Sequence, residues 1–402
     1  MIHCRLAIQL KYFFISVFFL QLHFCLKAQE TFPVNGVADP REKYFAFIHA
    51  TIVQDGGHEL KDATLVIREG KIIAVGEKIA TPPNAVVIDC SGKYISPSFI
   101  DIYSDYGIPI PQRQVNPPSF YSGPTQVNSN TKGAYGWNQA IKPEVDGSKI
   151  FAADETKAKS LRELGFGTVL SHQKDGIARG TGVVVTLANQ KENLSIVKEK
   201  ASAHYSLSKG TSTQSYPSSM MGTIALLRQT YLDAAWYKNR PPREGTNLSL
   251  EAWLENQNLP QIMEANDKWN DLRANRIGEE AGVHYIIKGG GNEYQRINDI
   301  ASIHAPFILS LNFPQAMDVE DPNEARFVSL ADMKHWELAP TNPAAFEKAG
   351  IQFCITAADL RDLKQFTTNL RKAIDYGLSE AKAFDALTKT PAELLHIYDK
   401  VG

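Results

Sequence analysis

Four cysteines in 402 residues are too few for a disulfide framework or a cysteine-rich zinc module. Surplus positive charge is missing too: 42 Lys and Arg face 44 Asp and Glu, a net charge of −2. Without a basic excess nothing follows a phosphate backbone, which argues against nucleic acid as a partner. No internal repeat is visible. The composition that remains is ordinary for a globular protein, 43% hydrophobic and 21% charged. The length allows two or three domains, or one large barrel with an appendage.

The N-terminus reads as an export signal. Arg5 and Lys11 precede the apolar run Tyr12–Leu20, and Leu26 and Ala28 supply a cleavage pattern. That run is short of the ~20 residues a spanning helix needs. Residues 1–28 are therefore expected to be a cleaved signal peptide, and the mature chain to be exported, periplasmic or extracellular. The segment carries three basic residues and no acidic one, so 39 basic residues face 44 acidic ones in the remainder. Cys90 and Cys354 stay behind in apolar, strand-like runs, which predicts buried free thiols.

Residues 40–97 read as a small all-β module. The stretches 44–53 and 63–76 have strand character, and Glu69-Gly70-Lys71 turns the second one into a hairpin. From Phe99 the pattern changes. Strand candidates at Phe99–Tyr103, Thr168–Ser171, Val183–Leu187, Gln261–Ala265, Val283–Lys288, Phe307–Leu311 and Ile351–Thr356 alternate with helical stretches. Such alternation over residues 98–398 predicts a parallel sheet covered by helices, with a (β/α)8 TIM-like barrel as the leading architecture. A doubly wound sheet is the competitor, but no Gly-rich phosphate loop follows the first strand. The polar segment 108–150 follows that strand and would lie over the C-terminal face, where barrel active sites form.

Several runs resemble the amidohydrolase superfamily, specifically its imidazolonepropionase-like branch. They are Asp62–Gly76 (DATLVIREGKIIAVG), Val87–Asp101 (VIDCSGKYISPSFID), EKAGIQFCITAADL and AKAFDALTKTPAELLHI. The resemblance covers about residues 40–402 and implies a (β/α)8 barrel with a small flanking β-sandwich. It further implies a hydrolase of non-peptide carbon–nitrogen bonds, of the cyclic amide or imide type, using zinc or another divalent metal. In metal-dependent members the FID run continues as x-His-x-His. Side chains at i and i+2 on a strand point the same way, so two imidazoles converge on one ion. Here those places hold Tyr103 and Asp105, and the later histidine places hold Glu264 and Lys288 or Gly289. The Asp of the last strand is displaced to Asp359. The expected ligands are thus missing, and no metal residues are assigned.

The residues present form a different set. Strict alternation puts Asp101, Tyr103 and Asp105 on the inward face, with Ile100 and Ile102 toward the helices. Asp105, Glu264 and Lys288 are the candidate catalytic residues, able to exchange protons or to hold a hard cation through oxygen. They read equally as a buried salt bridge filling the barrel mouth. Tyr103, His172 and Asp359 are candidate substrate-binding residues. Gly289-Gly290-Gly291 could cradle an anion or simply form a tight turn. Two functions follow: a hydrolase acting on a small-molecule amide, or a non-catalytic barrel serving as structural or partner domain of a tandem chain. The chain stops before the β-run that completes the sandwich in the family. This raises the expectation of a longer protein, with a second amidohydrolase domain as its partner.

Overall fold

The computed structural model describes residues 44–112, 129, 131–240 and 245–401. The signal peptide expected at residues 1–28, and residues 113–128 and 130 of the long loop, lie outside them. The described part is mixed α/β and divides into two compact units. The smaller takes the described residues up to Ala50 together with Asp62–Gly92. The larger takes Thr51–Lys61 and the chain from Lys93 onward.

The smaller unit is built on β1 (Tyr44–Asp55), β2 (His58–Arg68), β3 (Lys71–Gly76) and β4 (Val86–Asp89). They lie in the order β3-β2-β1-β4. β2 and β3 form the expected antiparallel hairpin. Its turn needs two left-handed residues, supplied by Glu69 (φ 50°) and Gly70 (φ 73°). β4 runs parallel to β1. The short β5 (Tyr94–Ile95) pairs with the second half of β1 inside the larger unit.

The larger unit carries an eight-stranded sheet in which sequence neighbours are spatial neighbours throughout. Its strands are β6 (Phe99–Ser104), β7 (Phe166–Ser171), β8 (Ala178–Thr186), β9 (Ile196–Ser206), β10 (Gln261–Glu264), β11 (Tyr285–Lys288), β12 (Phe307–Ser310) and β13 (Phe353–Thr356). Helices link the later strands. One is Lys268–Ala281, capped by the Asp267 side chain at its start and by left-handed Gly282 at its end.

The sheet is not parallel throughout, which corrects the expectation. β8 runs antiparallel to both β7 and β9, while the other adjacent pairs are parallel. The reason is chain length. Only His172–Ile177 separates β7 from β8, and a parallel crossover needs a dozen residues or more. β9 was not expected as a strand at all.

A second correction concerns β6. Between Asp101 and Ser104 its register advances three residues while β7 advances two, from Val169 to Ser171. This extra residue is a β-bulge, and it breaks strict alternation. Ile100, Ile102 and Tyr103 consequently sit in one buried cluster. The same cluster takes Leu170, Val184, Ala201, Ile262, Ile286, Ile308 and Cys354, one from each remaining strand. The outward sides of the strands pack in a separate core with the helices, around residues such as Val169, Met263, Phe307 and Phe346. The two edge strands also touch: Thr356 Oγ1 donates to Asp101 Oδ1 at 2.5 Å and Ala357 N donates to Oδ2 at 3.3 Å. Cys90 and Cys354 are both free and buried.

Candidate functional site

Polar side chains converge at the C-terminal ends of β6, β10 and β11. Glu264 and Lys288 are register partners on adjacent strands, so their side chains emerge side by side. The bulge turns Tyr103 toward them, and its hydroxyl donates to Glu264 Oε2 at 2.6 Å. The reversal of β8 brings a residue that sequence reasoning missed. An antiparallel strand starts where its neighbours end, so Arg179 enters at this same end. Its Nη1 donates to Glu264 Oε2 and, at 2.9 Å, to the Tyr103 hydroxyl. Asn266 donates to Glu264 Oε1 at 2.6 Å. Lys288 Nζ donates to Asp359 Oδ2 and to Asn266 Oδ1, the latter at 3.2 Å.

Burial alone would raise the Glu264 carboxyl. The Arg179 guanidinium, the Tyr103 hydroxyl and the Asn266 amide outweigh it and hold the group at about 2. Burial pushes the Tyr103 hydroxyl well above its ordinary value; Arg179 opposes this and Glu264 adds to it.

His172 belongs to a pair that was not foreseen. Its ring stacks on His204 of β9, with centroids 3.6 Å apart and planes 6° from parallel, and lies 4.5 Å from the Tyr103 ring. Gly182 makes room, since a Cβ there would come within 2.7 Å of His204 Nε2. His204 Nε2 shares a hydrogen bond with Ser202 Oγ at 2.7 Å, while His204 Nδ1 and both His172 ring nitrogens have no partner among the described residues. Burial drives both imidazoles well below their ordinary values, helped at His172 by the His204 ring and at both by Arg179 and Lys174, so both are neutral.

Asp105 is placed differently from the expectation. It lies past the end of β6, exposed, with no hydrogen bond or ion pair to Glu264 or Lys288 among the described residues. The bulge and the strand end remove it from the inward face. It lines a cleft of about 280 Å³ with Tyr103, Lys157, Leu161, Lys174 and Leu363. Asp359 is half-exposed with a left-handed backbone, φ 68°. The glycine run is no open anion cradle. Gly290 N and Gly291 N donate to the buried carboxylate of Glu293, at 2.6 and 3.0 Å. Gly290 is glycine because a Cβ would come within 2.1 Å of Asn266 O.

A divalent metal does not fit this donor set. Glu264 is already bound by a guanidinium and a phenol, and Asp359 by an ammonium. The two imidazoles are stacked face to face, so their in-plane lone pairs do not converge on one point. Among the described residues no three His, Cys, Asp or Glu side chains are grouped to hold an ion.

No protein-family model matches the chain, and no curated protein matches its sequence. Solved structures do match. An amidohydrolase from Thermotoga maritima superposes with a TM-score of 0.66 at 20% identity, over 88% of this chain and 89% of its own. The chain shares the fold of that amidohydrolase. A prolidase complexed with N-methylphosphonate-L-proline matches less well, with a TM-score of 0.50 at 13% identity over 89% of each chain. At these identities the likeness extends to the amidohydrolase fold alone.

Proposed function

We propose that this amidohydrolase-fold chain is a non-hydrolytic barrel whose mouth is held shut to metal by its own ion pairs. The eight-stranded sheet is read as a closed barrel. Supporting this, one residue from each strand joins a single buried cluster, and β13 hydrogen-bonds to β6 through Thr356 and Asp101. The observation that carries the functional reading is Arg179. Its guanidinium occupies the ground between Tyr103 and Glu264, so a cation already stands where a second one would be repelled. The family reaction activates water on a metal to attack a carbonyl. Among the described residues no ligand set is grouped to supply that activation.

The domain is proposed to act in an exported protein, as structural or partner domain to a catalytic amidohydrolase domain. The signal-peptide pattern of residues 1–28 supports export. Elemental analysis and amide-hydrolysis assays on the purified chain test the reading. No stoichiometric zinc, and no turnover of cyclic amides with added zinc, are expected. One equivalent of tightly held zinc that is lost in Glu264→Gln would overturn it.

A further inference from the structure

The cleft beside the ion-paired mouth has a composition of its own. Leu161 and Leu363 add apolar wall beside Tyr103, and Lys174, Lys157, Asp101 and Asp105 bring charge. Lys174 sits on the His172–Ile177 link, which the reversal of β8 folds over the end of β6. Its ammonium lies 5.0 Å from the Tyr103 ring centroid. The link is pinned by Asp175, which binds Lys142 and accepts from Thr211 N and, at 2.9 Å, from Thr211 Oγ1. Neither Lys174 nor Lys157 pairs with a carboxylate among the described residues, whereas Arg179 and Lys288 at the mouth are both paired.

Two unpaired ammonium groups on a mainly apolar cleft are a recognition pattern. They favour an anion, and the Tyr103 ring and the leucines favour an apolar body attached to it. Asp105 and Asp101 offset part of the ammonium charge, the Asp101 carboxylate being buried and held by Thr356 Oγ1 and the Tyr103 and Ala357 amides, so one negative charge is matched better than two. We infer that the cleft binds a small monocarboxylate with an aromatic or branched apolar body, its carboxylate between Lys174 and Lys157 and its body on Tyr103. From the proposed function this takes only that the ligand leaves unchanged.

Calorimetric titration of the full chain with phenylacetate, its neutral amide phenylacetamide, and the dianion phenylmalonate tests it. Phenylacetate is expected to bind about tenfold tighter than the amide, because only it offers charge-assisted bonds. Lys174→Gln should weaken phenylacetate about tenfold while Lys174→Arg keeps most of the affinity, and Lys157→Gln should act less strongly. Asp105→Asn should tighten phenylmalonate more than phenylacetate. Equal affinity for acid and amide, unchanged binding by a folded Lys174→Gln protein, or no saturable phenylacetate binding overturns the inference. Release of phenylacetate from phenylacetamide would instead defeat the non-hydrolytic reading and leave the lysine dependence standing.

Discussion

Glu264 and Asp271 stand on either side of the same strand end, seven residues apart, and both are largely removed from water. They titrate in opposite directions. Glu264 faces a guanidinium, a phenol and an amide, and is held at about 2. Asp271, on the helix that follows β10, has no hydrogen-bond donor on either oxygen among the described residues. Burial, then the Glu293 and Asp267 carboxylates, push it up to about 9, against a smaller opposing pull from Lys288. Similar burial with opposite outcome shows that partners, not depth, set the charge of a buried carboxyl. The Glu264 cluster is therefore charged but balanced, whereas Asp271 is kept neutral by a proton.

Removing the balancing cation should produce the largest effect. Arg179→Met leaves the Glu264 carboxylate buried without its ion pair, a change that costs about 3–5 kcal/mol in comparable sites. Urea denaturation at pH 7 measures it. The sign of the pH response should also change. In the native protein Glu264 has a folded value below its unfolded one, so its stability is present above about pH 4.5 and lost as pH falls toward 2. In the variant its folded value rises, and stability should fall as pH rises instead. Adding Glu264→Gln to Arg179→Met should recover part of the loss. If Arg179→Met is as stable as the native chain, the contrast between the two carboxyls fails.

Asp271→Asn should act the other way. The folded value of Asp271 lies above its unfolded one, so its stability is fully present below about pH 3.8 and is lost as pH rises toward 9. An amide escapes that loss and can donate toward Glu293. A gain of about 2 kcal/mol near neutral pH is expected, of the order of one unsatisfied buried polar group relieved. The gain should grow from pH 4 to 9 and then level off. A gain independent of pH would mean that Asp271 is ionised in the fold.

These pairs were unequally legible in the sequence. Tyr103, Glu264 and Lys288 could be read together because each ends an apolar strand run, and strand ends converge at a barrel mouth. Arg179 and His204 could not, since β9 was unrecognised and β8 was taken as parallel. The signal was present: the link between the strand candidates at Thr168–Ser171 and Val183–Leu187 is too short for a crossover helix. The β6 bulge had no comparable signal, because it is defined only against β7, and it is what breaks the strict alternation expected along residues 101–105. Asp271 was hidden for another reason. On an amphipathic helix a carboxylate reads as solvent-facing until the neighbouring 3-10 turn with Glu293 covers it.

The stacked histidines extend the comparison to bases. Both folded values lie below the ordinary imidazole range, so the unfolded chain takes up protons first. The stability they contribute is present above about pH 6.5 and lost as pH falls below it. Each ring adds up to ~1.4 kcal/mol per pH unit while only the unfolded state is protonated. Asp271 works with the opposite sign over this range, so the effect is read as a difference. His172→Phe keeps an aromatic ring against His204 and Tyr103, and should flatten the slope between pH 6.5 and 5 relative to the native chain. An unchanged slope would mean that His172 is already charged when folded.

Asp359 is the intermediate case and should give the smallest effect. It pairs with buried Lys288, but its own side chain is 42% exposed, so water already screens the pair. Lys288 also keeps Asn266 Oδ1 as a second partner. The backbone adds a separate contribution. Asp359 sits at φ 68°, where a Cβ is unfavourable, glycine is free of strain and asparagine is well tolerated. Asp359→Ala loses the charge and keeps the strain, for about 1 kcal/mol of destabilisation. Asp359→Gly loses the same charge but relieves the backbone by roughly 0.5–1 kcal/mol, so it should lie close to the native stability. Asp359→Asn should fall between them, because it keeps a short polar side chain that suits the left-handed region. Thermal melts of the three variants at pH 7 give the order Gly, Asn, Ala from most to least stable. The reverse order, with Ala above Gly, would show that the left-handed backbone carries no strain to relieve at this position.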